Sequence, residues 1–164
     1  MSTAMWTVIE SPIGPLRLVE QDGAITAIEF SPFRDGARPL GAEAADNPVL
    51  VVAARQLAEY FSGDRTEFDL PLAPAGSAWQ RSVWAQLLGI GYGETASYGE
   101  IAARLGKTNA ASRAVGTANG ANPIPIVIPC HRVIGANGTL TGYAGGLERK
   151  QVLLELERDE DALF

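Results

Sequence analysis

The chain has 164 residues, of which 46% are hydrophobic and 20% charged, and its formal net charge is −6. These proportions exclude a disordered chain, a collagen and a coiled coil, and the length fits one domain or two small ones. The only cysteine, Cys130, directly precedes the only histidine, His131. An intramolecular disulfide and a zinc site closed by several Cys and His ligands are therefore excluded, and we expect no metal and no other cofactor.

The charge is unevenly distributed along the chain. Residues 1–79 carry a net charge of −6, residues 80–147 carry +3 and residues 148–164 carry −3. Only the middle segment would therefore face a polyanion favourably. No targeting segment is visible, and the most apolar stretch, Ile124–Ile128, is too short to span a bilayer. A free thiol in such a chain predicts a cytoplasmic protein with no membrane partner.

The first half predicts a small antiparallel meander followed by a helix. Turn residues separate three strand-like segments: Trp6–Glu10, Leu16–Glu20 and Ala24–Phe30. A loop is predicted over 31–45, and Asn47 and Pro48 then begin a helix with an apolar face that ends at Gly63. The proline-containing segment 69–76 is predicted to be a linker, which places a domain boundary between residues 76 and 77.

The second half predicts short helices. Ser77 and Ser97 each begin a capping box, and Asn109 is placed to cap a third helix that runs from Ala110 to Asn119. Two short helices around the turn at Gly106 indicate a helix-turn-helix. An apolar strand over 124–128, a hairpin at 137–138 and a last helix over 147–158 complete a winged arrangement. The fold class is therefore α+β, with domains 1–76 and 77–164.

The third predicted helix consists almost entirely of small residues, with Arg113 as its one long cation. Such a helix either packs tightly against a neighbour or allows a DNA groove to approach closely. A reader of the major groove needs several long polar side chains. This helix therefore suits close, sequence-neutral docking, with Arg113 as its single probe.

Cys130 is a candidate nucleophile, although a lone cysteine is more often an inert buried thiol. It lies where the apolar run ends, and the neighbouring Arg132 would favour a thiolate. His131 is the only available imidazole base. On an extended strand the two side chains would point to opposite faces, so a water or a local turn has to connect them. A carboxylate to orient His131 could come from the last helix, where the sequence leaves three candidates open: Glu155, Glu157 and Glu160.

Three further residues are candidates for the site, and two of them, Tyr98 and Tyr143, allow two interpretations. Tyr98 either approaches a phosphate or base from a helix start, or is a half-buried aromatic. Asn122 is typical of a turn. Tyr143, in a glycine-rich stretch, either lines a pocket or lies in a connecting loop.

Five motifs occur in an order that resembles the O6-alkylguanine-DNA alkyltransferase family over residues 77–158: Ser97–Ala102, Arg113–Gly116, Asn122–Ile126, Pro129–Arg132 and Gly142–Gly146. The resemblance implies a ribonuclease H-like N-terminal domain and a winged helix-turn-helix C-terminal domain. It also implies DNA repair by irreversible alkyl transfer from O6-alkylguanine, and from O4-alkylthymine, to Cys130, with one turnover per molecule. The partner would be double-stranded DNA, bound by a protein that is monomeric when free.

The resemblance also assigns catalytic roles. His131 would act as base through a water, and Glu157 would be its carboxylate. Arg113 would fill the gap left by the flipped base, and Tyr98 would crowd the 3′ phosphate and help protonate the leaving base.

The remaining roles belong to the DNA contact surface and the substrate pocket. The resemblance implies DNA contacts for six small residues of the third helix: Ala110, Ala111, Ser112, Ala114, Gly116 and Thr117. It assigns the pocket to Asn122, Val133, Tyr143 and Ala144, with the Val133 carbonyl accepting from the guanine amine and Asn122 as a hinge. Two features depart from the family: Ala144 stands where some relatives have serine, and one extra residue lies between Gly106 and Arg113.

Two other classes of function remain open on the sequence. A winged helix that only senses alkylated DNA would need no nucleophile, so Cys130 argues against it. A Cys-His hydrolase is motivated by the adjacent nucleophile and base, and turnover of an acyl substrate would support it.

Overall fold

The computed structural model describes residues 3–33, 40–140, 142–143 and 145–162, with side chains up to residue 158. The chain forms two compact units, Met1–Ala75 and Gly76–Phe164. Within the described ranges, no helix has the length and apolar character needed to cross a membrane.

The N-terminal unit is built on a four-stranded sheet with the order β3-β2-β1-β4. Its strands are β1 (Ala4–Ile9), β2 (Leu16–Gln21), β3 (Ala24–Phe30) and β4 (Leu40–Glu43). The first three form the predicted antiparallel meander, with Thr7 opposite Leu18 and Leu18 opposite Ile28. The predicted loop over 31–45 was wrong in part, because β4 lies in it and pairs parallel to β1. A four-residue edge strand has too short a pattern to be recognised; its pairing with β1 makes it a strand.

One helix, α1 (Pro48–Phe61), accompanies this sheet. As predicted, the Asn47 side chain caps it by accepting hydrogen bonds from the Val49 and Leu50 amides at 3.0 and 3.1 Å. The predicted linker does more than connect. Around Leu72 it extends beside β3, since the Ile25 amide donates to the Pro71 carbonyl at 2.8 Å.

The C-terminal unit contains four α-helices in its described part: α2 (Ala78–Leu87), α3 (Tyr98–Arg104), α4 (Ser112–Gly120) and α5 (Leu147–Ala162). Ser77 and Ser97 form the two predicted capping boxes, with Gln80 and Glu100 as their partners. Gly106 adopts φ +72°, which suits the turn between α3 and α4. Two short strands, β5 (Ala96–Ser97) and β6 (Val133–Ile134), pair in parallel.

The start of the third predicted helix differs from expectation. Residues Asn109–Ala111 form a 3-10 turn, and α4 begins only at Ser112. Asn109 is therefore not the cap; its side-chain oxygen instead accepts from the Ser112 hydroxyl at 3.0 Å. It also lies so close to α3 that a Cβ on Gly99 would come within 2.5 Å of that oxygen. Contact between the two helices thus overrides the local capping preference.

The predicted apolar strand over 124–128 is also wrong. The segment is a tight turn, closed by the Ile128 amide donating to the Ile124 carbonyl at 2.9 Å, with Ile126 at φ +75°. A short apolar run predicts burial, but its periodicity does not distinguish a strand from a buried turn. The predicted hairpin at 137–138 is a turn that Gly135 and Thr139 close at 2.9 Å. In the described part of this region, however, β6 pairs with β5 and not across that turn.

Candidate functional site

Cys130 begins a 3-10 turn, Cys130–Arg132, directly after the tight turn over 124–128. Asn122 supports that tight turn from both sides, because its side-chain amide donates to the Ile128 carbonyl at 2.8 Å and its oxygen accepts from the Ile124 amide at 3.0 Å. This support holds Ile126 in a left-handed conformation that a β-branched residue rarely adopts. The backbone that presents Cys130 is therefore tightly constrained.

The Cys130 thiol is buried, with 3% of the residue exposed. Burial raises its pKa to about 11, although a hydrogen bond with Asn122 and the charge of Lys150 act in the opposite direction. Burial also raises the pKa of the nearby Tyr143 phenol well above its usual value, and the proximity of Cys130 acts in the same direction. The resting sulfur is therefore a thiol at neutral pH, and a base has to remove its proton before it can attack.

His131, the next residue in the sequence, is fully buried, and its Nε2 is 2.7 Å from the Glu157 carboxylate. Burial lowers the pKa of His131 despite Glu157, so the ring is neutral. A carboxylate only accepts hydrogen bonds, so Nε2 carries the proton and Nδ1 keeps a free lone pair. Nδ1 is buried and has no hydrogen-bond partner among the described residues. The arrangement is that of an oriented imidazole base.

Glu157 comes from α5, 26 residues further along the chain. Burial would raise its pKa, but hydrogen bonds from His131 and Arg132 outweigh that effect and lower it to about 2. Of the three acids that the sequence left open, Glu157 is the one that contacts His131. Glu155 is exposed and accepts from Gln151 at 3.0 Å, while the Glu160 side chain lies outside the described residues.

Arg132 does not have the role expected from its position. Its guanidinium donates to both Glu157 oxygens, at 2.8 and 3.0 Å, and to the Ile90 carbonyl at 2.6 Å. Its charge is therefore compensated by Glu157, so it does not favour a Cys130 thiolate. The expectation failed because neighbours in a chain need not share a partner, and a bidentate carboxylate is the stronger attraction for a guanidinium. Arg132 instead helps to fix Glu157.

Two buried residues beside the cysteine were missed by sequence reasoning. Lys150 donates to the Val133 carbonyl at 2.6 Å, and burial lowers the pKa of its ammonium. Asn119 donates to the Cys130 carbonyl at 3.3 Å. A signal existed for Lys150, because it stands seven residues before Glu157 on α5 and so shares its face. No sequence pattern distinguishes Asn119 from any other polar residue near a helix end.

The small residues of the third predicted helix do form a surface. Arg113, Ala114 and Thr117 are exposed on α4, and Ala110 is exposed in the preceding 3-10 turn. Ala111 and Ser112 are half-buried. Val115 and Ala118 face the interior. The surface is thus smooth, with Arg113 as its projecting cation, and a DNA backbone can approach it closely.

Tyr98 is the first residue of α3 and is half-buried. Its ring lies against α4, where a Cβ on Gly116 would be 3.5 Å from the ring. Gly116 therefore serves first as a platform for Tyr98. The structure brings Tyr98 together with the α4 surface, and Asn122, Val133 and Tyr143 together with Cys130.

The last predicted pocket residue, Ala144, lies outside the described residues. Within the ranges that the structure describes, no group of three or more His, Cys, Asp or Glu residues is placed to hold a metal ion.

Comparisons with known proteins give the same assignment for both units. Residues 4–74 match the family profile described as "6-O-methylguanine DNA methyltransferase, ribonuclease-like domain". Residues 78–159 match the profile described as "6-O-methylguanine DNA methyltransferase, DNA binding domain". Together the two matches span nearly the whole chain.

Similar proteins cover almost all of the chain. The methylated-DNA–protein-cysteine methyltransferase of Mycolicibacterium paratuberculosis is 51% identical and covers 93% of this chain and 92% of its own length. That of Methanosarcina acetivorans is 47% identical, with 93% and 97% covered. Among solved structures, the crystal structure of Mycobacterium tuberculosis OGT in complex with DNA is similar, with a TM-score of 0.86 and 47% sequence identity. The match covers 94% of this chain and 93% of that chain. The chain with the buried Cys130–His131–Glu157 arrangement therefore belongs to the 6-O-methylguanine DNA methyltransferase family.

Proposed function

We propose that this protein repairs DNA by transferring the alkyl group of O6-alkylguanine, in double-stranded DNA, irreversibly to Cys130. The observation that carries the proposal is the buried hydrogen bond of 2.7 Å between His131 and Glu157, next to a thiol that is protonated at rest. Such a thiol needs an oriented base, and His131 is the only imidazole in the chain.

The first step is removal of the thiol proton. Nδ1 of the neutral His131 accepts this proton through a bridging water, and the resulting imidazolium is stabilised by Glu157, which stays ionised because its pKa is about 2. Lys150 contributes a positive charge to the same pocket and so favours the thiolate. Glu157 remains a carboxylate throughout and serves to orient the ring.

The second step is a substitution at the alkyl carbon. The Cys130 sulfur forms a bond to that carbon while the bond between carbon and O6 breaks, and the electron pair remains on the guanine. Protonation makes guanine a better leaving group, and the hydroxyl of Tyr98 supplies the proton. The product is a thioether, which the imidazole, ammonium and phenol groups described around Cys130 cannot cleave, so each molecule reacts once.

DNA delivers the substrate by base flipping, because O6 inside a duplex is out of reach of a buried sulfur. Arg113 projects from the smooth surface of α4 and fills the space that the flipped base leaves. Val133 offers its carbonyl to the guanine amine, and Tyr143 lines the pocket beside the sulfur. O4-alkylthymine presents the same kind of alkyl oxygen and is the second substrate.

The decisive experiment is an intact-mass measurement after incubation with duplex DNA that contains O6-methylguanine. One methyl group is expected per protein molecule, on the peptide that contains Cys130, and none with Cys130→Ala. A matched duplex with unmodified guanine serves as control. Methyl transfer to the Cys130→Ala variant would contradict the proposal. Binding of damaged DNA without any transfer would indicate a sensor, and repeated turnover of an acyl ester would indicate a hydrolase.

A further inference from the structure

Asn119 is a buried polar residue that the proposed reaction does not use. It lies in the last turn of α4, with 2% of the residue exposed. Its side-chain amide donates to the backbone carbonyl of Cys130 at 3.3 Å, while its oxygen is buried with no hydrogen-bond partner among the described residues. An apolar residue of similar size would avoid this unsatisfied oxygen. The oxygen therefore gives no hydrogen bond within the described part, and the effect of the asparagine has to be sought in what its amide holds.

The amide connects the two parts of the site that a reaction on DNA has to align. Arg113 lies six residues before Asn119 on α4, about 9 Å along the helix, and is exposed. Asn119 faces inward and bonds to Cys130 itself. Asn122 acts on a different point, because it holds the Ile128 carbonyl in the preceding turn. Asn119 thus provides a direct hydrogen bond from α4, the helix proposed to face DNA, to the backbone of Cys130.

We infer that Asn119 is a positioning residue that fixes the position of Cys130 relative to the DNA-facing surface of α4. A base flipped from DNA enters the pocket from a duplex that α4 holds, so its alkyl carbon meets the sulfur only if α4 and Cys130 keep a fixed relation. A free O6-alkylguanine base is held by the pocket alone and does not depend on that relation. A misplacement of about 1 Å is enough to reduce a rate strongly.

The test compares two substrates in single-turnover experiments, and it rests on the proposed function. Methyl uptake is measured with duplex DNA that contains O6-methylguanine, and benzyl uptake is measured with free O6-benzylguanine. Asn119→Leu removes the amide while keeping the size of the side chain, and Asn119→Ser shortens it. Gly120→Ala is the matched control in the same turn, because Gly120 is exposed and a Cβ there meets nothing within 4 Å.

For Asn119→Leu we expect the transfer rate from DNA to fall about tenfold relative to the rate from the free base, with DNA affinity unchanged. Asn119→Ser should change the same ratio in the same direction, which keeps the test valid if the leucine variant does not fold. Gly120→Ala should leave the ratio unchanged. An unchanged ratio in both Asn119 variants, even with a lower melting temperature, would overturn the inference. Failure of the wild type to take up methyl on Cys130 from the duplex would overturn the proposed function instead.

Discussion

Two arginine–glutamate pairs, one from each unit of this protein, differ in their surroundings. In the N-terminal unit, Arg17 contacts Glu29 at 2.5 Å, and the Glu29 side chain is 37% exposed. In the C-terminal unit, Arg132 contacts Glu157 at 2.8 Å, and the Glu157 side chain is 1% exposed. Water reaches the first carboxylate, whereas protein donors surround the second.

The comparison shows that the properties of an arginine–glutamate pair depend on its burial and on which other residues contact it. Arg17 also lies over the rings of Trp6 and Phe33, so its pair joins a cluster on the sheet. Glu157 has His131 as an additional partner, and under the proposed function this contact makes the salt bridge part of the reactive site. The same residue types are therefore part of a packing cluster in one unit and contact the proposed base in the other.

The largest effect should come from Glu157→Gln. The substitution leaves Arg132 buried without a full counter-charge and removes the carboxylate that orients His131. We expect a loss of about 3–5 kcal/mol in the free energy of unfolding and a fall in transfer rate of at least about 100-fold. Urea denaturation and single-turnover methyl transfer measure the two effects. A variant that transferred at the wild-type rate would contradict the role of Glu157.

The next largest effect should be the loss of stability that acid causes at the buried Arg132–Glu157 pair. The folded-state pKa of Glu157 is about 2, below its usual value of 4.5. Its contribution to stability is therefore fully present above about pH 4.5 and is lost as the pH falls towards 2. Between pH 5 and pH 3 the wild type should lose roughly 2 kcal/mol more than Glu157→Gln. Urea midpoints at the two pH values test this, and parallel losses in both proteins would contradict it.

Exposed cations provide a third contrast, because Arg113 faces solvent whereas Arg132 is buried. The exposed basic residues on or near α4 are few: Arg104, Lys107 and Arg113. The slope of log affinity for DNA against log salt should therefore be no steeper than about −3, and Arg113→Ala should reduce it by about one. Fluorescence anisotropy with a labelled duplex across a salt series gives both slopes. A steep slope would show that more phosphate contacts exist.

The smallest effect should come from Glu29→Gln, the counterpart of Glu157→Gln. Because the Glu29 carboxylate is partly exposed and glutamine keeps an acceptor for Arg17, the free energy of unfolding should change by less than about 1 kcal/mol. The transfer rate should stay that of the wild type. Chemical denaturation of both variants side by side tests the comparison. Equal losses in the two variants would mean that burial does not distinguish the pairs.

Local signals predicted the parts of the fold that depend on neighbouring residues. Asn47, Ser77 and Ser97 cap helices as expected, because a cap is a hydrogen bond within three residues. The meander followed from alternation and turn residues. Pairing between distant segments was not predictable in this way, and both β4 and the parallel pair of β5 with β6 were missed.

The sequence predicted which residues would form the candidate site, but part of their predicted geometry was wrong. The adjacency of Cys130 and His131 indicated a nucleophile and a base, and the ordered motifs indicated the family. The expected strand around them is a strained turn at Ile126, held by Asn122. Arg132, expected to act on the thiol, binds Glu157 instead. In both cases a side-chain hydrogen bond that periodicity does not reveal decided the conformation: Asn122 holds the turn, and Glu157 holds Arg132.

The sequence by itself determined the inventory of this protein: one thiol, one imidazole, a smooth helix with a single arginine, and the capped helices that carry them. Tertiary structure alone decided which groups meet. Glu157, Lys150 and Asn119 lie 27, 20 and 11 positions from Cys130, and no local pattern links them to it. Burial then sets their properties, because a pKa or a hydrogen bond depends on the surrounding dielectric and donors, and these are formed only by folding.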